Sequence, residues 1–164
     1  GSTAKISIVA KLTNRSLVVF DSFEGIPANN ERHDQTIFGG YAFFPGGIYY
    51  GSLNEVTGNV KKFGHFENCE FIKGWFDETM PHFSKPIAAI YLDVDLASPT
   101  RTCLKYLYPH LVPGGVLYSH DGHLPLVMDI FRDRAFWENE VGCPQPHVEG
   151  LGAQKLIRIV KPES

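Results

Sequence analysis

The chain has 164 residues, 43% hydrophobic and 20% charged, a composition that suits one globular domain built on one core. A formal net charge of -3, with lysines and arginines scattered along the chain, leaves no electrostatic footprint for nucleic acid or an anionic membrane surface. No apolar run reaches the ~20 residues of a membrane span, and three cysteines (Cys69, Cys103 and Cys143) at no metal-like spacing point to reduced thiols in a cytoplasmic protein.

Taken in chain order, "AKISIVAKL" (4–12) places Ile6, Val9 and Ala10 at helical spacing, and "SLVVF" (16–20) reads as a buried strand stopped by Asp21. Residues 24–51 are rich in glycine and aromatic side chains and read as a loop or lid. Ser52 and Glu55 form a capping-box pattern at the head of a helix expected to run to about Phe63. A strand, "CEFIKG", follows. "IAAIYLD" is the clearest strand of all, with Ser98 expected as N-cap, Pro99 at the first helical position, and Leu104, Leu107 and Leu111 on the apolar stripe. "PGG" then reads as a turn, "VLYSHDG" as a strand, 125–139 as a helix and "QKLIRIV" as a last strand.

Strands alternating with helices predict an α/β fold, a doubly wound and mostly parallel sheet, in which ligands gather beyond the carboxyl ends of the strands. Three strands end in polar groups: Asp21 and Ser22, Asp93 and Asp95, and His120, Asp121 and His123. In a parallel sheet these share one rim. An acid such as Asp21 either caps the next helix or clasps a ribose diol. Of the two acids in "DVD" one is expected to face solvent, and Asp93 is taken as the functional one. In "SHDGH", carboxylate and imidazole are ordinary ligands for a divalent ion. "GWF", with Gly74 and Trp75 after a strand, is either an aromatic plug or a flat surface for a purine base.

Together, "FDSFEGIP", "FIKGWFDETMP", "IAAIYLDVDLASPT" and "LKYLYPHLVPGGV" stand in the order and at the spacing of the macrocin O-methyltransferase family, which the chain resembles over about residues 1–125. The resemblance implies a Rossmann-like class I methyltransferase sheet, S-adenosylmethionine as donor, a small-molecule hydroxyl of a sugar or polyketide-type natural product as acceptor, and Mg²⁺ holding that hydroxyl. It implies cofactor-binding roles for Asp21, Ser22, Gly74, Trp75 and Asp93, and metal-ligand roles for Asp93, His120 and Asp121, where His120 stands in place of a usual acid. Asp95 and His123 are the candidate bases, by proximity in sequence.

The family places a strand and a glycine-rich turn before the first helix, and the chain opens at the end of that turn or, alternatively, on a Gly-Ser tag remnant. The expectation is therefore a single methyltransferase-like domain over 1–164, truncated at its amino end and lacking the first strand. The second and fourth strands would then be left apart, close together, or borrow a strand from another copy as a homo-oligomer. Two other readings stand beside this one: a degenerate, non-catalytic binding or assembly domain, and a metal-dependent glycosyltransferase using D-x-D.

Overall fold

The computed structural model describes residues 1–163. The chain divides into two compact units, Gly1–Ala28 with Pro45–Thr79, and Asn29–Phe44 with the chain from Met80 onward. Both are α/β. Among the described residues no helix is long and apolar enough to cross a membrane, and all three cysteines are free thiols.

The first unit holds α1 (Ser2–Leu12), β1 (Leu17–Asp21), α2 (Leu53–Phe63), β4 (Cys69–Lys73) and the single turn α3 (Phe76–Thr79). Strands β1 and β4 pair in parallel, from Leu17 beside Cys69 to Asp21 beside Lys73. The expected capping box opens α2: Glu55 N donates to Ser52 Oγ at 3.3 Å, and Ser52 N donates back to the Glu55 carboxylate at 2.9 Å.

Helix α1 turns differently from its apolar spacing. Ala4 and Ser7 form its buried face, while Ile8, Val9 and Leu12 are exposed. Close approach explains the choice. Ser7 Oγ donates to Ala4 O and accepts from His65 N at 2.9 Å, and a Cβ on Gly64 would collide with that hydroxyl, so only small residues fit the contact.

The second unit contains the hairpin β2 (Arg32–His33) and β3 (Ala42–Phe43), then β5 (Ile87–Leu92), α4 (Ala97–Leu107), β6 (Leu111–Ser119), α5 (Pro125–Arg132), α6 (Arg134–Phe136) and β7 (Ile157–Val160). The hairpin lies inside the segment read as a loop or lid. Strands β5 and β6 pair in parallel, but β6 and β7 run antiparallel, so the expected parallel order ends at β6. Leu92, Leu96, Leu104, Leu111, Leu117, Leu124, Phe131, Trp137, Ile157 and Ile159 are buried and form the core. Tyr108 meets Trp137 edge-on at 5.0 Å.

Three boundaries differ from the sequence reading, each for a local reason. "PGG" lies inside β6 rather than before it. The ladder register shifts between Ile87 and Ala89, and Gly114 and Gly115 bond the backbone of Lys161, so the irregularity behaves as a bulge. The helix expected over 125–139 breaks at Asp133, whose carboxylate caps Phe136 N at 2.9 Å and pairs with Arg101 at 3.0 Å. A wider turn, Trp137–Val141, follows and ends at Gly142 in the left-handed region. Helix α4 begins at Ala97, so Ser98 and Pro99 are its second and third residues and Ser98 is not the cap.

Candidate active site

The expected site residues divide between the units. In the first unit Asp21 closes β1 and is exposed. One of its oxygens accepts Phe23 N at 2.7 Å in an Asx-turn, and its backbone O accepts Gly74 N at 3.1 Å, so the carboxyl ends of the two parallel strands are stitched together. Ser22 Oγ is engaged in the same turn, accepting Glu24 N at 3.1 Å and donating to Gly25 O at 3.3 Å. Gly74 has φ +148°, and a Cβ there would stand 2.7 Å from Thr79 Cγ2. Position 74 therefore demands glycine. Trp75 is partly exposed, and its carbonyl accepts from Glu78 N and Thr79 N to start α3.

The second unit brings Asp93, His120 and Asp121 together, with one ligand-capable atom from each within 4.8 Å of the others. The backbone explains how. Strand β5 ends at Leu92; had it continued, Asp93 and Asp95 would line one face, because side chains alternate with period two. Instead the chain bends into a three-residue turn closed by Leu96 N donating to Val94 O at 2.7 Å, with Asp95 at its centre at φ +60°. That conformation costs a non-glycine residue of order 1–3 kcal/mol and persists only where neighbours enforce it.

Asp121 is the enforcer. Its Oδ2 accepts Val94 N at 2.9 Å and Asp95 N at 3.1 Å, tying the tip of β6 to the turn after β5. Among the described residues its Oδ1 is buried without a hydrogen-bond partner, and the residue is 1% exposed. A buried carboxylate oxygen without a partner costs several kcal/mol unless a proton or a cation meets it. Asp93 is partly exposed, and its Oδ1 lies 3.3 Å from His120 Nδ1. Two carboxylates and an imidazole gathered together, one carboxylate oxygen among them unpartnered, fit a divalent cation.

Electrostatics follow from this crowding. Burial, then the carboxylates of Asp121 and Asp93, push the Asp95 carboxyl up to about 6, against the pull of Lys155 and His120. Asp121 is raised by burial and partly restored by the Val94 and Asp95 amides. His123 is held low by burial and by Lys155, His120 and His33. Its ring stacks on Phe38 at 6.0 Å and its carbonyl accepts Ile37 N at 3.2 Å, so part of the aromatic loop rests directly on the segment carrying the cluster.

Sequence reasoning missed three residues here. Glu31, in the loop before β2, reaches the start of α4, where its carboxylate accepts Ala97 N at 2.5 Å and Ser98 N at 3.0 Å. His33 is 1% exposed, with its Nδ1 facing Leu126 N at 3.5 Å. Lys155 lies close enough to bias both Asp95 and His123. No local pattern marks these residues, because their partners lie 32 to 93 positions away along the chain.

Known proteins share this arrangement of elements. The sequence profile of the Macrocin-O-methyltransferase (TylF) family matches residues 5–141. An "8-demethyl-8-(2,3-dimethoxy-alpha-L-rhamnosyl)-tetracenomycin-C 4'-O-methyltransferase" of Streptomyces olivaceus is 29% identical over 147 residues, which are 85% of this chain and 54% of that enzyme. The chain thus spans about half the length of that relative. Among solved structures, the O-methyltransferase NovP superposes with a TM-score of 0.72 at 21% identity, over 94% of this chain and 64% of its own. CalS11, a calicheamicin methyltransferase, superposes with a TM-score of 0.64 at 19% identity, over 97% and 66%. These likenesses show the fold, the α/β, Rossmann-like fold of class I methyltransferases. With the profile matched across most of its length, the chain belongs to the macrocin O-methyltransferase family.

Proposed function

We propose that this chain carries the active site of an S-adenosylmethionine-dependent, divalent-cation-assisted O-methyltransferase acting on a sugar hydroxyl of a natural product, and that its two units serve as one catalytic domain. The family profile supports the single domain, because residues 5–141 draw on segments of both units. The substrate class rests on the Streptomyces relative, whose name places its methyl group on a rhamnosyl hydroxyl. The observation that carries the reading is the strained Asp95 turn, held by Asp121 beside the Asp93 and His120 side chains.

Asp21 fits the role of a ribose-binding acid, since one oxygen is committed to its own turn while the residue remains exposed at the strand end. Gly74 and Trp75 flank it and would border the adenine. When bound, S-adenosylmethionine supplies an electrophilic methyl group, and a divalent cation held by Asp93, His120 and Asp121 lowers the pKa of a hydroxyl. Asp95, whose carboxylate lies near those of Asp93 and Asp121, would be placed to take up the hydroxyl proton. His123, kept neutral by its surroundings, is the second candidate for that proton. The Phe38 and Tyr41 rings of the loop are exposed and provide an apolar surface for the acceptor.

Calorimetric titration of S-adenosylhomocysteine into the wild type, Asp21→Ala and Asp93→Ala tests the reading. Saturable binding by the wild type that Asp21→Ala abolishes and Asp93→Ala weakens is the expected result. A folded wild type that binds no donor product would overturn it and leave a binding or assembly domain.

A further inference from the structure

We infer that the Asp93–His120–Asp121 cluster selects a borderline first-row dication of the Fe²⁺ to Zn²⁺ class over Mg²⁺, and that His120 is the residue that sets this choice. The inference rests on the cation site proposed above and names the metal chemistry that this chain's own donors favour.

The donor set is two carboxylates and one imidazole. Mg²⁺ is small and hard and is taken by oxygen ligands and retained waters, whereas imidazole suits Fe, Ni, Cu and Zn. A ring nitrogen among three donors therefore penalises Mg²⁺ and rewards the later metals. The Irving–Williams order acts in the same direction.

Geometry allows His120 to be a ligand rather than a bystander. Two donors about 2.1 Å from one ion lie about 3.0 Å apart when at right angles and about 4.2 Å apart when opposed. His120 Nδ1 and Asp93 Oδ1 are 3.3 Å apart, close to the first value. The widest separation in the cluster, up to 4.8 Å, asks for a closing movement of roughly half an ångström. Asp93 and His120 side chains are 42% and 39% exposed and can make it. Two backbone amides hold Asp121 through its Oδ2, and its buried Oδ1 has no hydrogen-bond partner among the described residues. That orphaned oxygen is an independent sign of a ligand, separate from the clustering of acids.

The test uses tag-free protein and two probes, CoCl₂ and MgCl₂, titrated by calorimetry into the wild type and His120→Asp. The wild type is expected to bind one Co²⁺ ion. Replacing the imidazole by a carboxylate is expected to lower the Co²⁺-over-Mg²⁺ affinity ratio at least tenfold while keeping Mg²⁺ binding. The Co²⁺-loaded wild type should also show a paramagnetically shifted, exchangeable imidazole N–H proton by NMR that is absent from His120→Asp. An unchanged affinity ratio, or no such proton in the loaded wild type, overturns the inference. Failure of both metals to bind a folded wild type overturns it as well. Binding of S-adenosylhomocysteine, measured separately, reports on the methyltransferase reading itself.

Discussion

Replacing Glu31 with alanine removes a side chain that caps α4. Ala97 N and Ser98 N belong to the first turn and have no partner inside the helix. Both donate to the Glu31 carboxylate, at 2.5 and 3.0 Å. Loss of an N-cap costs about 1 kcal/mol, loss of a negative charge at a helix amino end about 0.3–1 kcal/mol, and Ala97, 9% exposed, would keep its amide largely shielded from water. Together these give about 2 kcal/mol, which in a chain of this size corresponds to a melting temperature lower by about 4–8 °C. Glu31→Gln, which keeps an acceptor and loses the charge, should fall about halfway. Thermal denaturation measures the global effect, and amide exchange by NMR reads Ala97 and Ser98 directly. A Glu31→Ala chain that melts within 1 °C of the wild type, with both amides equally protected, would refute this account of how α4 is started.

Gly74→Ala must place a Cβ against Thr79 Cγ2 at φ +148°, and should destabilise the chain by about 1–3 kcal/mol; Thr79→Ser in the same background should recover only part of it, as urea denaturation will show. Burial lowers the His33 pKa below its ordinary value, with Glu31 pulling the other way. The unfolded chain therefore takes up a proton near pH 6.5 that the folded chain refuses, and stability falls as pH drops from about 6.5 toward the folded value. Denaturation curves for His33→Leu between pH 7 and pH 5 should lack that share of the slope, and equal slopes would contradict the burial argument. Trp137, 0% exposed and donating through its Nε1 to Phe131 O at 3.1 Å, anchors the second unit, so Trp137→Ala should cost about 3–5 kcal/mol in the same measurement. Ser52→Ala should raise the depressed Glu55 pKa toward its ordinary value in a carboxyl NMR titration, because the Ser52 hydroxyl and backbone amide are what hold it down.

What the sequence shows depends on how far apart the interacting residues lie. The Ser52–Glu55 capping box spans three positions and was fully readable, as was β5, whose apolar run needs no partner to be recognised. Asp93, His120 and Asp121 could be grouped because parallel strands bring their carboxyl ends to one edge. The start of α4 was misplaced because its cap comes from Glu31, 66 positions before Ala97, so no local residue had to mark the boundary. The buried face of α1 escaped the apolar pattern because it meets its neighbours through Ala4 and Ser7, where fit matters more than hydrophobicity. The break at Asp133 depends on Arg101, 32 positions earlier. The role of Asp95 as the apex of a strained turn was likewise hidden, since only the amides held by Asp121 create it.

The two oxygens of Asp121 divide the cluster into parts with unequal freedom to change. Position 121 is committed to the architecture, so a substitution there would release the turn at Val94 and Asp95. Positions 93 and 120 sit at the solvent edge, with side chains 42% and 39% exposed, and a change at either alters the donor set with little demand on the core. Under the proposed cation site, single substitutions at 93 or 120 would therefore change which ion is held, while the backbone that presents the donors stays in place.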